Sequence, residues 1–119
     1  MIAGDDRLRW DGDRIVVSLP AEIDLTNADE VRDALRVAAR HGAAVLVIDM
    51  SATTFCDSAG VQVIIDAYNV IDTQNQTAAT RTHVRLVATA VRRIFTLVGI
   101  DQLMPVYPSV EAALADLPA

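Results

Sequence analysis

Hydrophobic and polar positions follow two patterns that alternate along the chain. Short aliphatic and β-branched runs predict strands at residues 7–10, 14–19, 44–50, 84–87 and 104–107. Between them, apolar residues recur at three- and four-residue spacing, which predicts helices at residues 26–41, 58–73, 89–98 and from 109 onward. The run at 44–50 has no polar interruption until its end, which is typical of a central strand covered on both faces.

Turn-forming residues separate these elements. Asp11-Gly12 lies between the first two strands and predicts a hairpin, because glycine accepts a positive φ without steric cost. Pro20 ends the second strand, since proline has no N–H to donate, and Gly42 is expected to end the first helix. The polar stretch 74–82 shows no periodicity and is expected to form a surface loop.

The start of the first helix carries a capping pattern. Thr26 or Asn27 is expected to cap it, with Asp29 or Glu30 reaching back in a capping box. Strands that alternate with helices after an opening hairpin indicate a single α/β domain over residues 1–119. Its mixed sheet is expected to have four to five strands, with about four helices and right-handed crossovers between parallel strands.

Charge narrows the classes of partner. The 119 residues carry a formal net charge of -6, which argues against nucleic acid or an anionic membrane as a direct partner. All ten basic residues are arginine, so catalytic or phosphate-binding lysine chemistry is excluded. Hydrophobic residues make up 52% of the chain and aromatic ones only 4%, a composition suited to a compact aliphatic core.

Cysteine content and the chain start bear on the compartment. Cys56 is the single cysteine, so no internal disulfide can form and a reducing cytoplasm is expected. Residues 1–6 lack a basic region followed by an apolar core, so we expect no signal peptide. No apolar run approaches the ~18 residues needed to span a bilayer.

Candidate chemistry is sparse. His41 and His83 stand at the edges of predicted elements without partners, and no cluster of residues has metal-ligand spacing. There is no glycine-rich phosphate loop, no dinucleotide-binding pattern and no nucleophile elbow, so no cofactor is expected. Cys56 near a helix start could be a reactive thiol, but free cysteines are more often buried as small hydrophobic residues.

The connection from Asp49 to Gly60 is the strongest candidate site. It joins the end of a central strand to a helix, where open α/β sheets usually place their sites. Asp57 and Ser58 must lie at the helix start, either as caps worth about 1 kcal/mol or with Ser58 exposed as a phosphate acceptor near free N–H groups. Asp49 as a phosphoryl acceptor is disfavoured, because no lysine is present to neutralise the charge.

Residues 48–51 and 55–61 resemble the signature of the STAS family, the domain shared by anti-sigma-factor antagonists and the tails of anion transporters. The matching pattern is a strand, a short loop, then Phe, an apolar residue, Asp, Ser, a small residue and Gly. Residues 19–24 are similar to an earlier element of the family, and residues 89–100 are similar to its third-helix region. The resemblance covers nearly the whole chain in the same order.

This resemblance implies a non-enzymatic switch. In the bacterial antagonists of the family, a serine matching Ser58 is phosphorylated by a kinase that is itself the anti-sigma factor, and a phosphatase resets it. The unphosphorylated form binds the kinase and frees the sigma factor. Asp24, Asp57, Ser58, Ala59 and Gly60 are the implied partner-facing residues.

The alternative is a non-switching STAS scaffold, or a small-molecule-binding subunit of a lipid-transport or sensory complex. Departures from the family pattern are Ala21 in place of a frequent glycine, the longer 74–82 loop, and Cys56 in place of a larger apolar residue.

Overall fold

A computed structural model describes residues 7–116. The strands are β1 (Leu8–Asp11), β2 (Arg14–Ser18), β3 (Glu22–Ile23), β4 (Val45–Met50), β5 (Phe55–Cys56), β6 (His83–Ala88) and β7 (Val106–Tyr107). The helices are α1 (Ala28–Arg40), α2 (Ser58–Thr77), α3 (Arg92–Leu97) and α4 (Val110–Ala115), with a short 3-10 helix at Ile100–Gln102. The α/β fold predicted from the alternation of patterns is confirmed.

The main sheet has five strands in the order β1-β2-β4-β6-β7. β1 and β2 form the expected antiparallel hairpin, with Gly12 at a φ of 65° in the turn. The remaining neighbours pair in parallel, so the sheet is mixed. β4 lies at the centre and all six of its residues are buried, which agrees with its uninterrupted apolar sequence.

Side chains alternate across this sheet and fill two cores of unequal size. The larger core lies under α1, α2 and α3 and is built from Ile, Leu, Val and Ala side chains, with Phe95 fully buried among them. The smaller core is a valine cluster on the other face, which Ala113 of α4 covers. The two helices α1 and α2 also join through an ion pair between Arg32 and Asp66 at 3.3 Å.

Helix α4 is held at its end by two arginines of the sheet. Arg14 of β2 donates to the carbonyl of Leu114, and Arg85 of β6 donates to the carbonyls of Ala113 and Asp116. Cations at the last carbonyls of a helix complement its dipole. Ser109 caps the start of α4, as expected. The apolar residue Leu117, which follows the same helical spacing in the sequence, lies outside the described residues.

Several predicted boundaries need correction. Helix α2 runs to Thr77, so the first four of the nine residues predicted as a loop are helical, and only residues 78–82 connect it to β6. Asn27 directly precedes α1, in the N-cap position. Its side chain makes no hydrogen bond to the N–H groups of the first turn, so the predicted capping box is wrong. Helix α3 begins after Val91 rather than at Thr89, and Gly99 ends it with a φ of 82°, as expected.

No helix within residues 7–116 combines the length and the apolar character that crossing a membrane requires. The signal-peptide expectation rests on residues 1–6, which lie outside the described part of the chain.

Candidate functional site

A second, two-stranded sheet assembles the candidate site. β3 and β5 pair in parallel, with Glu22 opposite Phe55 and Ile23 opposite Cys56. The next residues along the two strands are Asp24 and Asp57, and the N–H of Asp57 donates to the carbonyl of Ile23 at 3.2 Å. Asp24 and Asp57 therefore follow the paired ends of the two strands, at the same edge of this small sheet.

Hydrogen bonds from the loop between β4 and β5 hold this small sheet in place. The buried hydroxyl of Thr53 donates to the carbonyl of Pro20 at 2.8 Å, and the N–H of Thr54 donates to the carbonyl of Ala21 at 2.8 Å. Residues 20–23 are therefore joined to residues 53–57 by backbone pairing and by these hydrogen bonds. The sequence patterns missed β3 and β5, since two residues are too few to show a period.

Helix α2 starts at the end of β5. Asp57 caps it: one carboxylate oxygen accepts from the N–H groups of Ala59 at 2.9 Å and Gly60 at 3.2 Å. Ser58 is the first helical residue and is exposed. The two expectations for this pair thus separate, because Asp57 takes the capping role and leaves the hydroxyl of Ser58 facing solvent.

Asp24 is fixed by a tight local turn. Its Oδ1 accepts from the hydroxyl and the N–H of Thr26, and its own N–H donates to the side chain of Asn27 at 3.0 Å. The hydrogen bond from the Thr26 hydroxyl, followed by that from the Thr26 N–H, lowers the pKa of Asp24 below its ordinary value. Asp24 is therefore a carboxylate at neutral pH, at the same edge of the small sheet as Asp57.

Gly60 allows the helix to approach the small sheet. It is buried, and a Cβ at this position would lie 2.5 Å from Cys56 Sγ and 2.9 Å from Ile23 Cγ2. Ala59 beside it is half-buried against the core. Gly60 thus sets how closely the start of α2, which carries Ser58, lies against the small sheet.

Cys56 is buried with 3% of its surface exposed. Burial, with a smaller contribution from the charge of Asp57, raises the pKa of its thiol to about 11. The thiol is therefore protonated at neutral pH, as expected for a cysteine that acts as a small core residue.

Two large apolar side chains beside the site are exposed, a feature that the sequence patterns did not predict. Phe55 is 51% exposed and Leu25 is 80% exposed, and they flank Asp57 and Asp24 in the chain. Exposed apolar residues around a polar centre are typical of protein-binding surfaces. Leu25 comes directly after the family element at residues 19–24, and this position is the one sequence signal that could have found it.

The other candidate residues lie apart from this site or are occupied. Asp49 is 9% exposed and accepts from the N–H of Ser51 at 2.9 Å, so it closes a turn at the end of β4. His41 packs edge-on against Trp10 with ring centroids 5.3 Å apart, and His83 begins β6. Among residues 7–116, no group of three His, Cys, Asp or Glu side chains is placed to hold a metal ion.

The family model of the STAS domain matches residues 8–113. The chain belongs to the STAS family. No curated protein sequence matches it significantly. The solved structures it resembles include an anti-sigma factor antagonist from Mycobacterium paratuberculosis, at 28% identity and a TM-score of 0.75, covering 91% of this chain and 88% of that one.

Two further STAS structures share the fold at lower identity. One is the Bacillus cell fate determinant SpoIIAA in its phosphorylated form, at 21% identity and a TM-score of 0.61, covering 91% of this chain and 95% of that one. The other is the murine anion transporter Slc26a9, at 18% identity and a TM-score of 0.63, covering 90% of this chain and 18% of the transporter. The family model confirms the expected membership of the STAS family, and these two structures support the fold.

Proposed function

We propose that the protein is an anti-sigma-factor antagonist controlled by phosphorylation of Ser58. In its unphosphorylated form it binds an anti-sigma factor that is also a serine kinase, and so releases a sigma factor for transcription. Phosphorylation of Ser58 inactivates it, and a phosphatase restores it. In this role it is a ligand and a kinase substrate rather than an enzyme, and it acts in the cytoplasm.

The observation that carries the proposal is the exposed hydroxyl of Ser58 on the first residue of α2, next to a cap that is already formed by Asp57. A serine that capped the helix would be turned into the backbone, whereas this one is open to a kinase. The similar Mycobacterium paratuberculosis protein is an anti-sigma factor antagonist, which supports the same role here.

Charge supplies the switching mechanism. Phosphorylation adds about −1.5 to −2 charges at neutral pH. The N–H groups of Ala59 and Gly60 are occupied by Asp57, so these two donors are not free for the phosphate. Asp24 and Asp57 add repulsion. An interface penalty of about 2–5 kcal/mol at the site would weaken binding by about 30- to 3000-fold.

Phosphate transfer tests the proposal directly. The protein is incubated with ATP and each anti-sigma kinase of its own organism, and the mass is measured. We expect one added phosphate that Ser58→Ala abolishes and Ser51→Ala retains, since Ser51 is a matched exposed serine at the neighbouring loop. If no kinase modifies the wild-type protein, the switch is ruled out.

Binding tests the charge mechanism separately. Ser58→Ala is expected to bind the kinase as tightly as the wild-type protein, and Ser58→Asp is expected to bind it less tightly because the added carboxylate lies beside Asp57. Isothermal titration of both variants measures the difference. Equal affinities would show that negative charge at Ser58 is not what breaks the contact.

One observation favours the alternative of a non-switching, small-molecule-binding subunit. A groove of about 370 Å³ lies between α1 and α2 and is lined by the apolar side chains of Leu35, Ala39 and Val70 and by Arg36. A fatty acid that raised the melting temperature of the wild-type protein, but not that of Val70→Asp, would support this role. It would replace the switch only if Ser58 also failed to accept phosphate.

A further inference from the structure

Helix α3 and the segment after it carry a cluster of exposed apolar side chains, which we name the α3 patch. Its members are 37–74% exposed: Ile94 37%, Leu97 74%, Val98 54% and Leu103 44%. The first three lie at three- and four-residue spacing on one face of the helix. Phe95, between them, is fully buried and anchors the helix to the larger core.

The sheet topology places this patch at the same edge as Ser58. The chain leaves β6 at Ala88 and returns as β7, whose first residue Val106 pairs with Leu86. β7 therefore begins two residues before the level at which β6 ends. The connecting residues 89–105 accordingly lie at the carboxyl edge of the sheet. The segment that leads from β4 to Ser58 leaves from that edge too.

The face is the same as well. Val91, Phe95 and Ile100 of the α3 region belong to the larger core, which also contains Val63 and Ile64 of α2. α3 thus covers the side of the sheet on which α2 lies, at the edge where α2 begins. A protein that docks on Ser58 therefore has the α3 patch within its reach.

The charge of the patch differs from that of the Ser58 site. The charged residues in the segment 89–105 are Arg92, Arg93 and Asp101, a local excess of one positive charge in a chain of net charge -6. All three are exposed. The Ser58 site by contrast carries the carboxylates of Asp24 and Asp57. The edge thus presents an acidic centre and, apart from it, an apolar and basic patch.

We propose that the α3 patch is a second docking surface for the anti-sigma factor that binds at Ser58. It recognises a segment of that partner with an apolar face and flanking carboxylates. This inference rests on the proposed function. The pair Arg92 and Arg93 favours such an acidic segment over a second copy of this chain, which would bring like charges together. The net negative charge of the chain opposes an anionic membrane surface.

Two substitutions test the apolar contact in the full chain. Leu97→Ser combined with Val98→Ser removes two of the most exposed side chains, and Trp10→Ser removes a 52% exposed tryptophan outside the patch as a control. The probe is the kinase found to phosphorylate Ser58. We expect the double variant to bind it at least about tenfold more weakly and Trp10→Ser to bind it like the wild-type protein. Matching circular dichroism spectra verify that all variants are folded.

Charge reversal tests the acidic segment. Arg92→Glu with Arg93→Glu is expected to weaken kinase binding by about tenfold at low salt and to flatten its salt dependence. Wild-type protein that binds no kinase refutes the proposed function itself. Wild-type protein that binds, with α3 variants that bind equally well, refutes only the second surface. Loss of self-association, or loss of binding to phosphatidylglycerol vesicles, with unchanged kinase affinity also refutes it.

Discussion

Within the motif at residues 57–60, Asp57, Ser58 and Gly60 have separate physical roles. The carboxylate of Asp57 caps the helix, and Ser58 is left exposed. Gly60 allows the first turn of α2 to contact the small sheet. The exposure of Ser58 thus depends on Asp57 and Gly60. Asp57 caps the helix in place of the serine, and Gly60 sets the distance between the helix and the small sheet.

Gly60→Ala is expected to destabilise the protein. The new Cβ meets Cys56 Sγ and Ile23 Cγ2, and both atoms sit on short or branched side chains that cannot swing away. Overpacking of this kind costs about 1–3 kcal/mol, more than the ~1 kcal/mol that alanine gains over glycine in a helix. Urea denaturation measures the free energy of unfolding.

A double-mutant cycle identifies the cause. Adding Cys56→Ala to Gly60→Ala removes the closest atom, so the two costs should combine to less than their sum. Strict additivity, or a Gly60→Ala protein as stable as the wild type, would show that the helix does not rest on Cys56.

The thiol of Cys56 is expected to be unreactive in the folded protein. Burial raises its pKa from 9.0 to about 11, so the thiolate fraction near pH 8 falls by about a hundredfold. Iodoacetamide labelling followed by mass should be slow in buffer and rapid in urea. Since the unfolded chain loses this proton first, stability should fall as pH rises from about 9 towards 11. Rapid labelling of the native protein would instead restore a redox role for Cys56.

At the scale of secondary structure, the long elements were predictable and the short ones were not. β4 shows an uninterrupted apolar run in the sequence, and α2 shows apolar residues at helical spacing. β3 and β5 have two residues each, and their pairing depends on Thr53 and Thr54 bonding across to Pro20 and Ala21, contacts that no local pattern contains. The composition of the site was therefore evident before its geometry, because the parallel pairing that joins Asp24 to Asp57 is a tertiary feature.

The cap of α2 can be separated from the charge of Asp57 by two substitutions. Asp57→Ala removes both and should lower the free energy of unfolding by about 0.5–2 kcal/mol. Asp57→Asn keeps an acceptor oxygen for the N–H groups of Ala59 and Gly60, so it should cost less than about 0.5 kcal/mol. Chemical denaturation compares the two. Equal losses would mean that the negative charge, and not the hydrogen-bonding geometry, stabilises the start of the helix.

At the scale of the whole molecule, the proposed binding residues lie at the carboxyl edge of the main sheet, whereas α4 lies on the face opposite α1, α2 and α3. The segments after β2, β4 and β6 supply Asp24, Ser58 and the α3 patch at one edge. On the opposite face, Arg14 and Arg85 hold α4 over the valine cluster. The sequence predicted this α/β plan, whereas the α3 patch was missed because the apolar spacing at residues 89–98 predicted only a helix. Spacing identifies an apolar face but does not show whether another element covers it.

This arrangement predicts that phosphorylation of Ser58 changes the surface and not the fold. A phosphate at a helix start normally gains about 0.3–1 kcal/mol from the helix dipole. Here Asp57 already occupies two of the N–H donors and adds repulsion together with Asp24, so the two effects oppose each other and stability should change by less than about 1 kcal/mol. Amide chemical shifts of the phosphorylated protein should differ from the unmodified form around β3, β5 and the start of α2. Shifts that extended to β7 and α4 on the far face would instead indicate a conformational switch transmitted through the sheet.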